Sequence, residues 1–170
     1  AFAGENILEL MKSRLIIEKT LLTQVNYNGQ NTLLVDLYIN FNELRDDWKK
    51  NKELLNIDFA KTNRENFTIK HDSLLSEFYF DIKNNYLQLA KVDKKLNLVS
   101  VKVTSKNEYF SKLFVEQLVK NVTAFYIETK TKKSRKNVEI LQFRTDSVKN
   151  ELDKNMYGAA VSQDQNINMI

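Results

Sequence analysis

The stretch Phe125–Leu152, FYIETKTKKSRKNVEILQFRTDSVKNEL, decides how this chain is built. It holds no Gly, Pro or Cys, so nothing in it interrupts an α-helix. Its apolar pattern ends at Ile127, gives way to ten polar residues from Glu128 to Asn137, and resumes as a thin stripe. Val138, Leu141, Val148 and Leu152 keep a three- and four-residue spacing, and Thr145 completes the register. Two such positions per heptad make a coiled-coil seam, too narrow to pack on a sheet. The stripe predicts another helix as its partner, either one returning from later in the chain or one from a neighbouring molecule.

Upstream, Ser105-Lys106-Asn107-Glu108 has the Ser-x-x-Glu spacing of a capping box, which predicts a helix start there. Phe110, Leu113, Phe114, Leu118, Val122 and Phe125, flanked by Val115, Val119 and Tyr126, cover more than one face and predict packing against strands. No helix breaker falls between Asn107 and Met156, and Gly158 is the first stop signal. Some 50 residues at 1.5 Å each give a rod of roughly 75 Å. A domain made from the rest of the chain is only about 30 to 40 Å across. The sequence therefore predicts an α+β fold: residues 1–127 as a small helix-flanked β-sheet base, including the first half of the long helix at about 107–127, and residues 128–170 as a projecting coiled-coil-like arm, truncated at its end.

The base reads as helices around a hairpin. ENILELMKSRLIIEKTLL carries Ile7, Leu10, Met11, Leu15, Leu21 and Leu22 on one face, widened by Ile16 and Ile17, and predicts one amphipathic helix. NYNGQN is a loop centred on Gly29. Leu33, Leu34, Leu37, Tyr38, Phe41 and Leu44 predict a second helix within TLLVDLYINFNELRDDW, and KKNKELLNIDFAKTNREN is a polar connection. HDSLLSEFYFDIKNN predicts a third helix, with Asp72 or Ser73 as N-cap. The period then falls to two. YLQLAKV and LNLVSVKV predict a hairpin with Val99, Val101 and Val103 on one face and Val92-Asp93-Lys94-Lys95 at the tip.

The 170 residues suffice for one domain plus an appendage, and the net charge of +4 is mild. Zero Cys excludes disulfides, thiolate nucleophiles and cysteine metal sites, without choosing a compartment. No apolar run reaches the roughly 20 residues that span a bilayer. The chain opens on Ala1 without a signal-peptide layout, so it is expected to be a fragment whose targeting or anchoring lies outside.

Chemistry finds little to work with. His71, the only His, stands beside Asp72 and is expected in a surface or capping role, since it can build neither a triad nor the usual zinc site. Asp46 and Asp47 are neighbours, about 100° apart on a helix, and so make no acid/base pair. Gly4, Gly29 and Gly158 are too scattered for a phosphate loop. Asn66-Phe67-Thr68 and Asn121-Val122-Thr123 match the glycosylation sequon in an Asn-rich chain. No catalytic, cofactor or metal residues are assigned. Lys130, Lys132, Lys133, Arg135 and Lys136 could contact a polyanion such as an acidic sugar, a phosphate or a lipid headgroup. They lack the interleaved aromatics that stack bases, and nucleic acid is not expected as a partner.

Two segments resemble the periplasmic domain of Wzz-type chain-length determinants, the polysaccharide co-polymerases, most closely the branch found in Bacteroides-like bacteria. ILELMKSRLIIEKTL resembles the family's first periplasmic helix, whose Leu-x-Ser-Arg core corresponds to Leu10–Arg14, one residue longer here. The stretch from Leu98 to Leu152 resembles the strand, capped helix and long ascending arm, with Tyr126-Ile127-Glu128 where the helix leaves the base. The resemblance spans about residues 5–160. Departures are Lys106-Asn107-Glu108 in place of the family's Asp-Pro-Glu, and the additional segment NTLLVDLYINFNELRDDWKKN. The resemblance implies a non-enzymatic, periplasm-facing scaffold at the bacterial inner membrane, homo-oligomeric in the full-length protein and held by flanking transmembrane helices. It implies work with a glycan polymerase and its lipid-linked polysaccharide, O-antigen or capsule. The same domain type also occurs fused to capsule-export tyrosine autokinases. A coiled-coil adaptor unconnected with glycans is the alternative from another class.

Overall fold

Ser13 splits the first amphipathic stretch into two helices. In the computed structural model, which describes residues 2–49, 51, 54, 56–92 and 98–167, α1 is Phe2–Lys12 and α2 is Arg14–Leu21. Ser13 Oγ accepts from Ile16 N–H at 3.4 Å and donates to the Leu10 carbonyl at 2.6 Å, ending one helix and capping the next. The break turns Leu15 outward to 58 % exposure, so it leaves the predicted face, while Ile16, Ile17 and Leu21 are buried.

Asn28-Gly29 is a hairpin turn where a loop is predicted. β1 (Gln24–Tyr27) and β2 (Gln30–Leu33) pair antiparallel, Val25 opposite Thr32. Asn28 at φ 52° and Gly29 at φ 80° supply the two left-handed residues that such a two-residue turn requires. The predicted second helix loses Thr32 and Leu33 to β2. It also breaks at Glu43, whose φ of 56° is left-handed, giving α3 (Leu34–Phe41) and α4 (Leu44–Trp48).

α5 (Ile69–Asp81) begins earlier than predicted, with Thr68 as N-cap in place of Asp72 or Ser73. It ends in a π turn, Ile82–Tyr86, which leads into β3 (Leu87–Lys91). β4 (Val99–Val103) pairs antiparallel with β3, Leu89 opposite Val101, as the two-residue period predicts. Val99, Val101 and Val103 share the more covered face, and Ser100 and Lys102 are exposed. The predicted tip residues Asp93, Lys94 and Lys95 lie outside the described residues; Val92 N–H donates to the Leu98 carbonyl at 3.0 Å. The strands thus form two separate two-stranded sheets.

α6 is an uninterrupted helix of 60 residues, Glu108–Ile167. Its N-cap is Asn107, whose Oδ1 accepts from Phe110 N–H at 2.9 Å. Ser105 instead accepts from Asn107 N–H within the preceding turn, at 3.1 Å. Gly158 does not stop the helix; a single interior Gly costs only about 1 kcal/mol. The buried row is narrower than predicted: Phe110, Phe114, Leu118 and Val122 are buried at intervals of four, while Val119 is 40 % exposed. The helix meets a strand as well as helices: Tyr109, beside this row, lies edge-on to Tyr27 of β1. Phe110 packs on Tyr38 and Phe41 of α3, and the Asn121 amide donates to Thr20 and Thr23 at the end of α2. The fold is α+β with a long helical arm, and its contacts divide it into two compact units, residues 1–124 and 125–170.

Candidate interaction surface

Within the second unit the helix presents the predicted seam to solvent. Val138, Leu141, Val148 and Leu152 are 53 %, 62 %, 65 % and 56 % exposed. The register continues further back than the apolar pattern suggested. Counting by threes and fours from Val138 passes through Ser134 and Thr131 to Ile127, which is also exposed. From Ile127 to Leu152 no charged residue occupies a seam position, although eight of the ten residues Glu128–Asn137 lie off the seam and charges crowd the flanks. Thr145 Oγ1 donates to the Leu141 carbonyl at 2.9 Å, which satisfies the hydroxyl within its own helix. The stretch that looks like bare shaft is therefore a seam filled by small hydroxyl residues. Its signal in the sequence is an absence of charge, easily hidden by the lysines around it.

The five basic residues do not share a face. At 100° per residue, Lys130, Lys132, Lys133, Arg135 and Lys136 spread over about 220° of the circumference, everywhere except the seam. All five are exposed. Lys132 pairs with Glu128 at 2.6 Å, an i,i+4 pair worth about 0.3–0.5 kcal/mol, and Lys130 lies 5.4 Å from the centre of the Tyr126 ring. A girdle of this kind solvates the helix on every side but the seam and focuses little field on any one ligand.

Sequence reading missed a polar cluster in the base. Glu18 is buried on α2, and it receives Arg14 from its own helix and Arg64 at 3.2 Å from the 3-10 turn Arg64–Asn66. Arg64 also pairs with Asp72 and lies over the Phe67 ring. Phe67 stacks on His71 with centroids 4.9 Å apart. His71 is buried rather than at the surface, and it caps: its Nδ1 accepts from Thr68 N–H at 3.3 Å. With Nδ1 accepting, the ring proton sits on Nε2, which is buried with no hydrogen-bond partner among the described residues. Partners 46 residues apart in sequence leave no local signal.

The titration shifts run toward structure. Burial and the hydrogen bond that it donates to Asp81 push the Tyr38 phenol well above its ordinary value, the opposite of what a proton acceptor needs. Burial pushes Asp36 up, opposed by Arg45, and a hydrogen bond from Lys61 holds Asp58 down. Among the described residues, no group of His, Cys, Asp and Glu is placed to hold a metal ion, and no helix is long and apolar enough to cross a membrane. Compared with known protein families, curated proteins and solved structures, the chain matches none.

Proposed function

We propose that this chain is a non-enzymatic assembly module whose long helix carries the interface. The observation behind this reading is the uncharged seam from Ile127 to Leu152, exposed along its length on a helix whose other faces are crowded with charge. Apolar groups held in water at coiled-coil spacing gain about 1.5 to 3 kcal/mol each when a partner helix fully covers them. The resemblance to chain-length determinants supports the further reading that the assembly is the periplasm-facing part of an inner-membrane regulator of surface-polysaccharide length. There the chemistry belongs to a glycan polymerase, and this domain supplies a scaffold around the growing chain.

The test is made in cells that produce the polysaccharide. Replacing Leu141 and Leu152 by Asp in the complete gene product is expected to shift or abolish the preferred glycan length. An unchanged length distribution from a normally folded, normally abundant variant counts against the polysaccharide reading. The adaptor reading draws on the same seam and is separated by the flanking reading frame. Membrane helices on both sides support the regulator, and their absence favours the adaptor.

A further inference from the structure

We propose that the seam binds a second copy of this chain running antiparallel, with the two-fold axis between Glu139 and Ile140. In an antiparallel pair, each first-position residue of the heptad meets a fourth-position residue of the partner helix. With the axis at that point, Leu152 meets Ile127, Val148 meets Thr131, Val138 meets Leu141 and Thr145 meets Ser134, each layer occurring twice by symmetry. The largest apolar side chains thus cover one another at the ends, and the two hydroxyl residues Thr145 and Ser134 share a layer. All of these seam residues are exposed in the single chain.

The flanking charges select the orientation. In this register Glu128 faces Lys149 of the second copy, and Lys130 faces Glu151. The remaining flanking pairs, Arg135 with Gln142 and Asn137 with Arg144, join a cation to an amide. No like-charge pair is made. Sliding the helices by one heptad sets Arg144 against itself and Arg135 against Lys149; sliding the other way sets Arg135 against itself and Lys130 against Arg144. A parallel, in-register pair sets Lys130 against Arg135 and Arg144 against Lys149. Like charges at such positions disfavour a partner, and opposite charges fix register. Of these four arrangements, only one is free of repulsion.

The inference is independent of the polysaccharide reading. Copies standing the same way up in one membrane cannot form this pair side by side; in such an assembly the seam is left to a helix of another segment or protein, and the glycan-length test reads that contact. Absence of the antiparallel pair leaves the glycan-length test untouched.

The experiment follows self-association of the 170-residue chain by sedimentation, with charge reversal as the probe. A concentration-dependent dimer is expected. Lys149→Glu places Glu against Glu128 twice and is expected to weaken dimerisation by about tenfold, since each exposed charge pair contributes modestly. Adding Glu128→Lys to it is expected to restore wild-type association. A parallel dimer would respond in the opposite direction, because Lys149→Glu removes its repulsion with Arg144. The chain has no Cys, so a single spin label at Asn150→Cys is clean. The antiparallel pair offsets the two labels by 21 residues along the axis and gives a separation above about 30 Å. A separation near 20 Å, a tighter Lys149→Glu dimer, or a chain that stays monomeric at several hundred micromolar overturns the proposal.

Discussion

Phe114 and Leu141 lie on the same helix and look alike in sequence, yet Phe114 is fully buried and Leu141 is 62 % exposed. Their substitutions separate core from interface. Phe114→Ala is expected to destabilise the base by about 3 to 5 kcal/mol, and Leu141→Ala by less than about 0.5 kcal/mol in the monomer, both measured by chemical denaturation. Tyr38 supplies a pH-dependent check. Its folded pKa is raised, so the folded state holds the phenolic proton more tightly than the unfolded chain does. The stabilisation is present in full below about pH 10 and is lost as pH climbs above that. Tyr38→Phe is expected to cost about 1 to 2 kcal/mol at neutral pH and to flatten the alkaline loss relative to wild type. Equal alkaline slopes in the two proteins would assign the loss to other groups. At this scale the sequence was legible in part. The spacing around Ser105 correctly announces a helix start, but the cap is Asn107, because Ser105 is held in the turn before it. His71 has the expected capping role but is buried, since Phe59 and Phe67 close over it from positions that local spacing does not connect.

Elements were legible where one period dominates. The valines of β4 announce their strand, and the breaker-free run announces α6. The β1–β2 hairpin is harder to read, because Gln24-Val25-Asn26-Tyr27 and Gln30-Asn31-Thr32-Leu33 are mostly polar and their alternation is faint. Asn28-Gly29 was the available signal. Gly29 meets nothing within 4 Å where a Cβ would stand, so its backbone conformation is the constraint there. Gly29→Ala is therefore expected to cost about 1 kcal/mol through the left-handed strain alone, read as a fall in melting temperature. No change would mean that the turn readily adopts another geometry. The split at Ser13 is equally local: a Ser inside an apolar helical pattern reads as tolerated, and only its bonds to Leu10 and Ile16 reveal a boundary.

At the scale of the whole molecule, the division of labour is between a base with an aromatic interior and a helix with an uncharged line along one side. The interior rests on contacts such as Phe110 with Phe41 and Tyr38 with Phe78. Half of the seam, Val138 to Leu152, was legible from spacing. The other half was masked, because Thr131 and Ser134 look like any polar residue among lysines until the register is carried through them. The central claim is that this line is an interface and no part of the core. It is tested most directly by the near-UV melting transition of the Leu141→Asp/Leu152→Asp variant, which reports the packing of the aromatics in the base. The expected result is a transition within a few degrees of wild type, measured at a concentration where the wild-type chain is monomeric. Loss of the near-UV signal, or a melting temperature lowered by more than about 10 °C, would mean that the stripe is core and would contradict the account.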